Sequence, residues 1–136
     1  MTAIVTGRDE QDVLHAVAAI VSAFGDGRLD DYFAGFHPDC SFVFYTSERR
    51  LDSVADYRAL WDRWVAEDGF EVRSCRSWDA RVQVWGDAAV VTHDVETRVQ
   101  SRSSEDVLHE RETIVFVRQA GGRWLAVHEH LSPGKS

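Results

Sequence analysis

The chain has 136 residues, 44% hydrophobic and 11% aromatic, which suits one domain with a real core and needs no disulfide staples. Its formal net charge of −8 disfavours phosphate backbones and anionic lipid surfaces, so nucleic-acid and membrane partners are not expected. Two cysteines, Cys40 and Cys75, make no disulfide framework and have no metal-ligand spacing. The start of the chain lacks a basic and apolar leader, and the reading is cytoplasmic with reduced thiols.

Taken in chain order, the first apolar period runs from about Asp9 to Phe24. Leu14, Val17, Val21 and Phe24 form its stripe, and Val13 and Ile20 widen it. Thr6 and Asp9 resemble a capping box, and Gly25-Asp26-Gly27 stops the helix. A short helix follows with Leu29, Tyr32, Phe33 and Phe36 on its buried side, ended by the turn His37-Pro38-Asp39. Cys40 to Tyr45 reads as a strand. Ser53 and Asp56 open a third helix carrying Tyr57, Trp61 and Trp64 on one face, and Asp68-Gly69 closes it. From Phe70 the period becomes two. Four strands are expected, at Glu71–Trp85, Ala88–Gln100, Asp106–Arg118 and Arg123–Leu131, joined as hairpins. The expected class is α+β: a cone-shaped, curved antiparallel sheet packed on three N-terminal helices. Residues 1–136 form a single domain, with 1–8 and 133–136 as loose ends.

Alternation assigns two faces to the sheet. The inward face takes Val91, His93, Val95, Thr97 and Val99 from the second long strand. It takes Leu125, Val127, Glu129 and Leu131 from the last, Arg76, Trp78, Ala80, Val82 and Val84 from the first, and Glu112, Ile114 and Phe116 from the third. Each set is mostly apolar yet holds an ionisable group: Arg76, His93, Glu112 or Glu129. Buried charge must be paired or face a cavity. A pocket lined by these four, with Tyr45, Tyr57, Trp61 and Trp78 as aromatic walls, is expected to bind a small organic ligand. The outward face carries Trp124, Val90, Val115 and Val117, with His128, His130 and Arg111 at its margin, and reads as a homodimer surface.

The expected chemistry is general acid–base catalysis without a cofactor. Glu129 acts as base, His93 shares its proton, and Glu112 is a second acid. Arg76 or Tyr45 steadies an oxyanion. His128 and His130, at i and i+2, would need Asp94 or Glu96 to seat a metal, and that context is weak, so no metal is expected. No glycine-rich phosphate loop or nucleophile elbow is present. The alternative reading is a non-catalytic ligand-binding or oligomerisation module.

The stretch from Glu112 to Arg118, then Gly121-Gly122-Arg123-Trp124-Leu125-Ala126-Val127-His128-Glu129-His130-Leu131-Ser132, resembles the closing hairpin of the SnoaL-like proteins. It is similar as well to the association domain of calcium/calmodulin-dependent protein kinase II. Gly86-Asp87-Ala88-Ala89 and Phe36-His37-Pro38-Asp39 fit the same group. Both belong to the nuclear transport factor 2-like superfamily, which includes the ketosteroid isomerases. The resemblance implies a conical α+β barrel of the cystatin-like type, dimeric or larger, with a pocket between sheet and helices. It implies membership of a group of isomerases, polyketide cyclases, dehydratases and oligomerisation modules. The association domain's pocket arginines fall at positions matching Val95, Ile114 and Leu131, so an inherited anion site is not implied.

Overall fold

A computed structural model describes residues 2–135. The order is α1 (Thr2–Asp26), α2 (Leu29–Ala34), β1 (Phe36–Phe44), α3 (Val54–Asp68), β2 (Glu71–Trp85), β3 (Ala88–Gln100), β4 (Glu105–Arg118) and β5 (Trp124–Pro133). Three helices and the four hairpin strands stand close to where the periodicity put them. Helix α3 is capped as its sequence suggests: the Ser53 hydroxyl accepts from the Asp56 amide, and Gly69 closes it in the left-handed region at φ 64. Helix α1 runs through the Thr6–Asp9 segment rather than starting there. Its buried line is Val13, Val17, Ile20 and Ala23, while Leu14 is exposed. The His37-Pro38-Asp39 segment, expected as a turn, lies within β1, where the register to β5 is irregular.

The sheet corrects the expected architecture. It has five strands in the order β1-β5-β4-β3-β2. It is mixed, because β1 pairs with β5 in parallel while the other three pairs are antiparallel. It is neither closed into a barrel nor strongly curled. The reason is topological. β1 arrives from the helical half of the chain and joins the far side of β5, so β1 and β2 become opposite edges that do not pair. Helix α1 packs chiefly along β2, and α3 along β1. The core between helices and sheet is largely aromatic and β-branched: Phe33, Phe36, Phe42, Tyr57, Trp61, Val91, Ile114 and Phe116.

Two bulges decide which side chains face this core. In β5 the pairing runs Val115↔His128 and then Phe116↔Ala126, so Val127 is the extra residue. One extra residue inverts side-chain parity for everything beyond it. Glu129 and Leu131 therefore face inward as expected, but so do Ala126 and Trp124. Trp124 is only 5% exposed and is a core residue, with the Arg118 guanidinium 4.8 Å from its ring centroid. It cannot belong to an exposed dimer patch. In β2 the pairing jumps from Trp78↔Asp94 to Arg81↔Thr92, with Asp79 at φ 56. Val82 stays inward, whereas Arg76 and Trp78 turn outward. Strand β3 pairs with β4 without interruption, and its inward set of Val91, His93, Val95 and Thr97 is buried as alternation requires.

Candidate functional site

The inward faces of β3, β4 and β5 place three ionisable groups in one buried line. His93 lies directly across from Glu112, and Glu112 is diagonal to Glu129 through the Ile114↔Glu129 pair. The His93 Nε2–Glu112 Oε1 distance is 2.6 Å. The Glu112 and Glu129 carboxyls lie close enough to perturb each other's ionisation. Glu129 is 4% exposed, and its Oε2 has no hydrogen-bond partner among the described residues.

Two carboxyls in contact inside an apolar shell cannot both ionise readily. Burial, then the neighbouring Glu112 charge, pushes the Glu129 carboxyl well above the usual carboxylate range. Burial also opposes ionisation of Glu112, but hydrogen bonds from Glu129 and His93 together outweigh it and hold Glu112 below its ordinary value. These opposite directions favour one proton and one charge on the pair. With Glu112 ionised, the His93 Nε2–H is the donor of the 2.6 Å bond.

Glu112 and Glu129 line an inner chamber of about 60 Å³ with Phe24, Tyr32, Tyr57, Cys75 and Thr97 among its other walls. The Tyr32 and Tyr57 hydroxyls are 2.9 Å apart. Burial pushes both phenols well up, so they stay protonated and can donate. An outer cleft of about 500 Å³ shares Phe24, Phe44, Tyr57, Thr97, Glu110 and Leu131 with the chamber, and adds Trp61, Trp64 and Phe70. This is a chamber large enough for a water molecule or a small functional group, beside a cleft large enough for an organic molecule.

The structure gathers some of the residues marked in the sequence and separates others. Glu112, Glu129, Tyr57 and Trp61 line the cavities. His93 sits behind Glu112 and lines neither. Arg76 is on the opposite face of the sheet: its side chain is 68% exposed, bonds Glu96 at 2.8 Å and stacks on Trp78 at 4.7 Å. Trp78, 40% exposed, forms no wall. Tyr45 is half exposed, and its hydroxyl donates to Glu110 Oε2 at 2.7 Å. The expected oxyanion group Arg76 is therefore elsewhere, and Tyr45 already has an acceptor. Three polar residues of the inner chamber were missed. Glu110 follows from the parity of Glu112. Tyr32 stood in a buried helical stripe, where its hydroxyl needed a partner. Cys75 moved inward only because of the β2 bulge. His128 bonds the Ser41 hydroxyl at 2.8 Å, and among the described residues no group of three His, Cys, Asp or Glu is placed to hold a metal.

The sequence model for the SnoaL-like domain matches residues 13–135. No curated protein matches the chain by sequence. Among solved structures, a nuclear transport factor 2-like superfamily protein from Salmonella enterica serovar Typhimurium is similar with a TM-score of 0.82 at 17% identity, covering 96% of this chain and 94% of that one. A ketosteroid isomerase-like protein from Erwinia carotovora atroseptica gives 0.78 at 15% identity, covering 94% and 98%. The CaMKII hub of S. rosetta gives 0.74 at 21%, covering 92% and 96%. At these identities the structural likenesses speak for the fold alone. The chain belongs to the SnoaL-like domain family.

Proposed function

We propose that this SnoaL-like domain is a cofactor-independent enzyme of the isomerase, cyclase or dehydratase type, acting by proton transfer on a small and largely apolar substrate in the cytoplasm. The observation that carries the reading is the Glu112–Glu129 pair at the floor of an apolar chamber, with Glu129 Oε2 unpartnered. A pair with one proton can give one and take one at the same place. Neutral Glu129 delivers its proton to a substrate oxygen, ionised Glu112, held by His93, takes the proton released from the substrate's carbon, and transfer between the two carboxyls restores the pair. This inverts the expected resting role of Glu129 from free base to protonated acid. The Tyr32–Tyr57 hydroxyl pair supports the reading, because it offers a protonated donor to an oxyanion developing in the chamber. His93 acts through Glu112 and is a positioning residue.

The test needs no prior substrate. A panel of small enolisable ketones is incubated with enzyme in deuterated water, and hydrogen exchange is followed by NMR. Wild type is expected to exchange at least one member, and Glu129→Gln to lose roughly a hundredfold or more of that rate. Equal rates in a folded Glu129→Gln variant would sink the assignment.

A homodimer through the outer sheet face is the second part of the proposal. The register aligns Val90, Val115, His128 and Ser41 in one row across four strands, and Thr92, Thr113, His130 and Val43 in the next. Half-buried Val90, Val115 and Val43 among threonines and histidines on one sheet face suit isologous contact with a second copy. A hub and an association domain among the structural relatives favour assembly of this fold. A non-catalytic binding or oligomerisation module is the competing reading, and the exchange assay separates the two.

A further inference from the structure

The outer cleft has a charge composition that proton transfer does not explain. Its lining includes the carboxylates Asp68, Asp106 and Glu110 and, among the described residues, no Lys, Arg or His. The nearest basic candidate in sequence, Arg102, lies between cleft residues Ser101 and Ser103. Its guanidinium is committed elsewhere: Nη1 donates to the Glu67 carbonyl at 2.9 Å and Nη2 to the Ala66 carbonyl at 3.2 Å, at the end of α3. Arg76, Arg81 and Arg98 lie outside both cavities. The same lining carries the rings of Tyr57, Trp61, Trp64 and Phe70, packed edge-to-face or tilted. Ring faces attract cations and do not attract anions. A further carboxyl oxygen, Glu129 Oε2, is buried, unpartnered and part of the chamber wall that adjoins the cleft through Glu110. An anionic ligand would meet three acidic side chains and, among the described residues, no basic one, the other polar groups of the lining being neutral hydroxyls and an amide. A metal ion would find no cluster of three ligating side chains among the described residues.

From this juxtaposition of aromatic rings and carboxylates we propose that the cleft selects an organic cation: a small apolar or aromatic body bearing a protonated or quaternary nitrogen. The nitrogen sits between the rings of α3 and Glu110, and the apolar body fills the rest of the cleft. This inference deepens the proposed function and rests on the cleft being the ligand pocket. It gives that pocket a substrate class, a basic-nitrogen compound, which the acid–base pair alone does not.

The experiment compares three probes of matched size: benzyltrimethylammonium, its neutral carbon isostere neopentylbenzene, and 3-phenylpropionate. Binding is read by tryptophan fluorescence and by calorimetry on the full chain. The cation is expected to bind about tenfold tighter than the neutral isostere, and the anion weakest. Glu110→Gln keeps an acceptor for Tyr45 and is expected to weaken the cation severalfold while leaving the neutral probe unchanged. Asp106→Asn, at an exposed position, repeats the comparison without disturbing the core. Binding of the neutral or anionic probe as tight as the cation overturns the inference and leaves the pocket reading standing. Saturable binding of none of the three removes both. An unchanged cation affinity in both variants also overturns the inference.

Discussion

Glu129→Gln makes a sharp prediction about stability as well as turnover. In the folded chain the Glu129 carboxyl is held well above the ordinary value of 4.5, by burial and by Glu112. An acid whose folded pKa is raised binds its proton more tightly in the native state. Its stabilising effect is complete below the unfolded pKa and is lost as pH rises through the folded pKa. Within that window each pH unit removes about 1.4 kcal/mol. Glutamine cannot ionise, and its amide can still donate to Glu112. Relative to the variant, wild type should therefore lose stability steadily as pH rises above the ordinary carboxylate value, until Glu129 ionises in the fold. Glu110, also raised by burial, tilts both curves alike and cancels in the difference. Glu112, held low, is ionised in both states across this range and adds no slope. Urea titrations at several pH values, followed by far-UV circular dichroism, give the two curves. Parallel curves for wild type and variant would refute the reasoning, because they would mean that Glu129 ionises in the fold as freely as in the unfolded chain.

Other expectations follow from single contacts. Trp124→Ala should destabilise the fold by about 3–5 kcal/mol, since it empties a buried indole site in the core; thermal denaturation measures it. Trp124→Glu should fail to fold, whereas Val115→Glu, on the outer face, should yield a folded monomer; light scattering distinguishes this from an unfolded or still dimeric product. Tyr45→Phe removes the 2.7 Å bond to Glu110 and should lower stability by about 1 kcal/mol in urea titration, with no change in secondary structure.

What the sequence revealed depended on whether a strand kept its register. Strands β3 and β4 pair without a break, so counting by twos placed His93, Thr97, Glu112 and Ile114 correctly. The same count carried past Val127 in β5 put Trp124 on the wrong side, and the β2 bulge did the same to Arg76 and Trp78. Nothing local in the sequence announces Val127 as an extra residue, because Ala-Val-His-Glu alternates as well as any strand. The ends of α3 and the β2–β3 turn were legible because Ser53, Gly69 and Gly86 have conformational roles that few other residues fill. The parallel β1–β5 pair was not legible, since consecutive hairpins say nothing about where an earlier strand docks. For the site, the line of ionisable residues on apolar faces was readable, but the Glu112–Glu129 contact is a diagonal relation between strands and required the true register.

The central claim is one proton shared by two buried carboxyls. Carbon-13 NMR of chain labelled at the glutamate carboxyl carbons tests it most directly, with Glu112→Gln and Glu129→Gln variants to assign the signals. The account predicts that at neutral pH one signal of the pair has the shift of a protonated carboxyl and titrates only well above the ordinary carboxylate range. Two signals that both titrate near the ordinary value of 4.5 would contradict it.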